Sequence, residues 1–243
     1  VDIYAAGLSS DALPEIEAAG LDYAQSNGLY YELTFNTYGP VFDQSTGKVN
    51  PFTFAKAREA MNWLVDRDYI NREVYNGGAL LKFFPLVTNM PDYTSIAPTI
   101  RRLEAEYAYN PERAKAQMDE VMLGIEGVTI EDGKYVFGGE QVTLILLIRN
   151  DSDKTRIPIG DYVASQLESI GFATDRQYKT SSEASPIWVG GNVADGLWHI
   201  YTGAWSATII DRDEGDNFEF FDTPQSAYGF SSTWQAFPTG AER

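Results

Sequence analysis

Residues 142–148 read Val-Thr-Leu-Ile-Leu-Leu-Ile, a run that is apolar at every position but one. A strand with one wet face alternates apolar and polar side chains, so a run of this kind predicts a strand buried on both faces. Such a strand needs cover above and below, and the residues that follow provide it. Ile159, Val163, Leu167 and Ile170 recur at helical spacing, Gly171 supplies a C-terminal stop, and residues 172–178 read as the next strand. Strand, helix and strand at this spacing make a βαβ unit. A short helix near 182–189 and a strand over 197–205 repeat the alternation. The predicted class is α/β, with a mixed sheet flanked by helices.

The first half of the chain is consistent with this class. A short strand is predicted at 2–6, with Ser9, Ser10 and Asp11 as caps of a short helix. Leu29, Tyr31, Leu33 and Phe35 alternate with Tyr30, Glu32, Thr34 and Asn36, a strand pattern. Ala57, Ala60, Met61, Leu64 and Val65 form one helical face. Asp68 is a candidate cap for a second helix that Gly77 and Gly78 close, and a further helix is predicted over 100–107. Another starts at Asn110 with Pro111 in its first turn, buries Ala114, Met118, Val121 and Met122, and ends at Gly124. Asp132 and Gly133 predict a hairpin turn.

Composition narrows the function. A net charge of −17 argues against nucleic acid and against anionic membrane surfaces, since both require a basic face. Cysteine is absent, which removes disulfides, thiol catalysis and Cys-based zinc sites. No apolar run is long enough to span a bilayer. The opening VDIYAAGLSS lacks the basic start and apolar centre of a signal peptide and reads as the middle of a domain, so the chain is expected to be part of a longer protein. Asn150-Asp151-Ser152 is a glycosylation triplet, a weak pointer to the cell exterior because such triplets arise by chance.

Catalytic and metal motifs are scarce. The one histidine, His199, falls in a predicted strand and reads as a packing or hydrogen-bonding residue; no G-x-S-x-G elbow accompanies it. There is no Walker A loop, no H-E-x-x-H and no G-x-G-x-x-G after a strand. Asp211, Asp213, Glu214 and Asp216 cluster within six residues. Counted as an EF-hand from Asp211, glycine comes one place early, at Gly215, and Asp222 takes the place of the closing Glu. A solvated acidic loop fits better, with an irregular oxygen cluster for a hard cation left open. No metal or cofactor is expected.

Four segments, in order, carry a resemblance. Asn36, Arg58, Ala60, Asn62, Asp66 and Arg67 match a strand ending in Asn, a loop and an R-x-A-x-N-x-x-x-D-R helix. YNPERAKAQMDEV follows, then VTLILLI with DYVASQLESIGFATD, then LWHIYTGAWSA, in which Ala204 stands at a usual Gly. Together these resemble the extracellular solute-binding proteins of oligopeptide, dipeptide and nickel ABC importers. The resemblance covers most of the chain. It implies the second lobe of a periplasmic-binding-protein-like (type II) fold over 1–243, with the first lobe lying outside the chain and a ligand held between the lobes.

The resemblance also implies a site. Trp205, Ser206, Ala207 and Thr208 line the cleft. Thr208 stands where peptide binders place an Asp for the ligand's amino terminus, a role left to Asp211 or Asp213. Lys154 and Arg156, at a βα turn, hold a carboxylate or are simply exposed charges at a helix start. Asn36 ends the strand before the cleft. Trp188 and Trp198 line the pocket or belong to the core. The implied function is capture of peptides or another small polar solute for a membrane permease, without catalysis. The implied protein is a monomer outside the cytoplasm, membrane-anchored in its full form. Alternatives are an extracellular sensor or interaction module with the same fold, and a secreted carboxylate hydrolase working through Asp211 and Asp213.

Overall fold

The computed structural model describes residues 8, 10–24, 29–42, 48–83, 91–151 and 155–206. The strand expected at 2–6 and the acidic loop lie outside the described residues. A four-stranded mixed sheet carries the fold. Its strands are β1 (Leu29–Phe35), β5 (Thr143–Arg149), β6 (Ala173–Lys179) and β7 (Ile200–Ser206), in the spatial order β1-β7-β5-β6. β5 runs parallel to both β6 and β7, while β1 is antiparallel to β7 along its whole length, from Leu29 opposite Ser206 to Phe35 opposite Ile200. A separate small sheet holds β2 (Val128–Glu131), β3 (Lys134–Phe137) and β4 (Glu140–Gln141). Its first hairpin turns at Asp132 and Gly133, both at positive φ, as a type I′ turn requires.

The apolar run at 142–148 is buried on both faces, as expected. Helix α6 (Arg156–Ser169) covers one face, placing Ile159, Val163 and Leu167 in the same core as Leu144, Leu146 and Ile148. Contact is close at Gly160, where a Cβ would stand 2.7 Å from an Ile148 side-chain atom. Helix α7 (Ser181–Trp188) covers the other face, where Ala184 packs in a second core with Leu147, Val193, Trp198 and Tyr201. The main core continues into α2 (Ala55–Leu64) and α5 (Pro111–Leu123), through Ala57, Ala60, Met61, Trp63 and Leu64 on one helix and Ala114, Met118 and Met122 on the other. The remaining α-helices among the described residues are α1 (Leu13–Ala18), α3 (Arg67–Val74) and α4 (Pro91–Glu106).

Two local expectations are corrected. Asp66, not Asp68, caps α3: its backbone is extended and its carboxylate accepts from Tyr69 N at 3.0 Å. Asp68 lies inside the first turn, where its charge favours the positive end of the helix. The helix expected over 100–107 starts earlier, at Pro91, and runs through Pro98. That proline removes one intrahelical donor, but its fixed φ is helical, so the helix continues.

The motif residues of this region act as scaffold. Arg67 donates to Asn62 Oδ1 at 2.7 Å and to the carbonyl of Lys82 at 3.1 Å, tying the end of α2 to α3 and the segment beyond it. Arg58 donates to the carbonyls of Phe52 and Thr53. His199 is fully buried. Its Nδ1 accepts from Ile145 N at 2.9 Å, its Nε2 lies 3.1 Å from the Val49 carbonyl, and Phe42 packs edge-on against the ring. The Ile145 bond fixes the Nε2–H tautomer, which donates to Val49.

Burial holds the His199 imidazole far below its ordinary value, at about 3. The folded chain therefore resists a proton that the unfolded chain accepts below about pH 6.5. This contribution to stability is therefore complete above about pH 6.5 and is lost as pH falls toward 3. Urea unfolding of the wild type and of His199→Gln across pH 6 to 4 should show the wild type losing stability more steeply, by about 1.4 kcal/mol per pH unit. Parallel pH profiles would contradict the buried neutral imidazole.

Candidate functional site

The parallel strands β5 and β6 end together at Arg149 and Lys179, β7 runs on beside them to Ser206, and α6 and α7 begin at the same edge. Ligands in open α/β sheets bind at this carboxyl edge, where helix N-termini and strand ends converge. A concavity of about 290 Å³ opens there. Tyr201, Gly203 and Trp205, alternate residues of β7, form its floor, and Ser181, Ser185 and Trp188 of α7 form a wall. Trp188 stacks on Tyr201, ring centroids 4.3 Å apart and 19° from parallel. That pair is held by the second core, in which Tyr201 is buried and against which Trp188 packs.

Arg149 and Arg156 also line the concavity. Arg149 donates to Asp151 at 2.5 Å and to Tyr201 Oη at 2.9 Å. Asp151 in turn accepts from Ser181 N at 2.9 Å, so one carboxylate joins the end of β5 to the start of α7. The Arg149 hydrogen bond holds the Asp151 carboxyl down at about 2. Arg156 is different. It is only 9% exposed, although it is an arginine in the first turn of a helix. One guanidinium nitrogen donates to the Thr202 carbonyl at 3.2 Å and the group lies 5.1 Å from the Tyr31 ring centre. Its buried Nε has no partner, and no carboxylate pairs with it among the described residues. A buried cation without a counter-ion is costly, and this one faces an open cavity.

Of the residues singled out from the sequence, Trp205, Trp188 and Arg156 meet in this concavity. Ser206 ends β7 opposite Leu29. Trp198 is core, at 1% exposed. Asn36 does not line the concavity. It is fully buried, donates to the carbonyls of Val193 and Trp198, and accepts from Tyr38 N. Lys154, Ala207, Thr208, Asp211 and Asp213 lie outside the described residues. Sequence reasoning missed Arg149, Tyr201 and the two serines of α7. Arg149 carried a usable signal, as a charge directly after a doubly buried strand. Among the described residues, no group of three or more His, Cys, Asp or Glu gathers as a metal site, and no helix is long and apolar enough to cross a membrane.

A mixed α/β sheet with helices on both faces and a cleft at the strand ends is the fold of periplasmic binding proteins, and solved structures of that kind match it. The chain is similar to NikA from Brucella suis, solved with Fe(III)-EDTA, with a TM-score of 0.65 and 18% identity over 97% of this chain and 42% of that one. It is similar to a periplasmic oligopeptide-binding protein of an oligopeptide ABC transporter from Thermotoga maritima, at 0.64 and 16%, over 98% and 46%. It is also similar to the oligopeptide-binding protein AppA from Bacillus subtilis, solved with a nonapeptide, at 0.61 and 17%, over 93% and 44%. The chain thus spans less than half the length of these proteins. Residues 1–226 match the family described as bacterial extracellular solute-binding proteins, family 5, middle region, and the chain belongs to that family. No curated protein matches the sequence significantly. The family and these structural neighbours are binding proteins rather than enzymes.

Proposed function

We propose that the chain is the second lobe of a two-lobed capture protein that takes up a peptide or similar small polar solute and passes it to an ABC permease. The observation that carries this reading is Arg156: a buried guanidinium with no counter-ion among the described residues, at the edge of an open cleft. An arriving anionic group, such as a peptide carboxylate, would supply the missing charge. Coverage of less than half of the similar structures supports a first lobe elsewhere in the protein, against which the cleft closes. In this reading the protein is a monomer held at the outer face of the membrane.

The test is native mass spectrometry of the full-length protein with a defined pool of tri- to pentapeptides. The wild type should retain peptide, and Trp205→Ala should lower retention by about tenfold or more, because an aromatic floor is lost. Its melting temperature should stay within about 3 °C, as for a partly exposed residue outside the core. No retention of any peptide would overturn the peptide reading. Unfolding of Trp205→Ala would instead place Trp205 in the core.

A further inference from the structure

Glu32 stands opposite Gly203 on the neighbouring strand, on the face that forms the cleft floor. A Cβ on Gly203 would lie 2.6 Å from Glu32 Oε1 and 2.8 Å from Thr34 Oγ1. The carboxyl group therefore occupies the space that a side chain at 203 would fill, at the β1 edge of the floor. The Thr34 hydroxyl donates to it at 2.6 Å, and the Trp205 side chain lies close enough to favour its charged form. No Lys or Arg forms an ion pair with it among the described residues. Burial pushes the Glu32 carboxyl above its ordinary value, and the Thr34 hydroxyl and the nearby Trp205 side chain offset this only in part. No positive charge contributes to that balance. A carboxylate has about four acceptor positions, so the Thr34 hydroxyl leaves room for more donors.

We propose that Glu32 is the cation-recognising residue of the cleft, receiving a primary ammonium group of the solute beside Thr34 and Trp205 while Arg149 and Arg156 take its anionic group. This rests on the cleft being the capture site proposed above. A strongly hydrated ammonium is worth desolvating only against a fixed carboxylate, and Gly203 keeps the approach to that carboxylate clear. The ammonium has two sources in a peptide, the amino terminus and a lysine side chain.

Native mass spectrometry of the full-length protein separates them with three probes: lysine-free peptides, the same peptides N-acetylated, and N-acetylated peptides containing lysine. The wild type should retain the N-acetylated lysine-free pool about tenfold less than whichever pool carries the recognised ammonium. Glu32→Gln should remove this discrimination, and Glu32→Asp should restore part of it. Circular dichroism melting of both variants checks folding, so that a misfolded Glu32→Gln leaves Glu32→Asp to decide. Equal retention of all pools by the wild type would overturn the role of Glu32 while leaving peptide capture intact. Discrimination that persists in Glu32→Gln, or equals the wild type in a folded Glu32→Asp, would overturn it too. No retention from any pool would overturn both readings.

Discussion

Asn36→Ala should cost about 3 kcal/mol of stability or more and leave the retention of peptides by the folded protein unchanged. The side chain is fully buried and both ends of its amide are in use: the nitrogen donates to Val193 O at 2.9 Å and to Trp198 O at 3.1 Å, and the oxygen accepts from Tyr38 N at 3.0 Å. Alanine leaves three backbone groups without partners in a place water does not reach, at roughly 1 to 3 kcal/mol each. Asn50 compounds the loss, because its own amide donates to the carbonyls of Asn36 and Tyr38 and depends on the same backbone path. Urea denaturation gives the stability, and native mass spectrometry of the variant below its transition gives the binding. A variant that is stable but fails to bind would put Asn36 in contact with ligand.

Arg156→Met should do the reverse. Methionine keeps most of the length and the packing against Tyr31, but removes a buried charge that has no counter-ion among the described residues. Exchanging a buried charge for an apolar side chain is often neutral or stabilising, by about 1 to 4 kcal/mol, so the melting temperature should hold or rise. Peptide retention should fall on the order of 100-fold, the usual scale for losing a desolvated charge contact. Gain of stability with loss of function marks a residue kept for its ligand. A variant that loses stability and still binds would show that Arg156 serves only to hold the Thr202 carbonyl.

Much of the scaffold was legible from periodicity. The doubly buried strand, the βαβ unit around α6, the helix opened by Asn110 and Pro111 and the Asp132-Gly133 hairpin depend on neighbours within a few residues, and short-range rules describe them. The misplaced cap at Asp68 failed at an element boundary, where one or two residues of backbone conformation decide the outcome, while α4 was cut short on the near side of Pro98, a residue that local rules place at a helix start rather than inside one. The motif around Arg58, Asn62, Asp66 and Arg67 pointed to the family, yet its side chains bind the chain's own backbone and turns.

The cleft was legible only in part. Trp205, Trp188 and Arg156 were named from a resemblance in order of segments, and they do converge. Asn36 was named with them and sits in the interior, because a strand-ending asparagine serves equally as ligand or as buried crosslink until its surroundings are known.

By itself the sequence determined what local physics controls: which stretches are strands and helices, which faces are apolar, and the α/β class. Only the tertiary structure decided that β1 pairs antiparallel with β7 across some 170 residues of chain. A side-chain period of two fixes which residues share a face, but not which distant strand lies alongside. That pairing sets Glu32 over Gly203 and beside Trp205. Whether a glutamate in an alternating strand meets water or the floor of a cleft depends on a neighbour that no local pattern names.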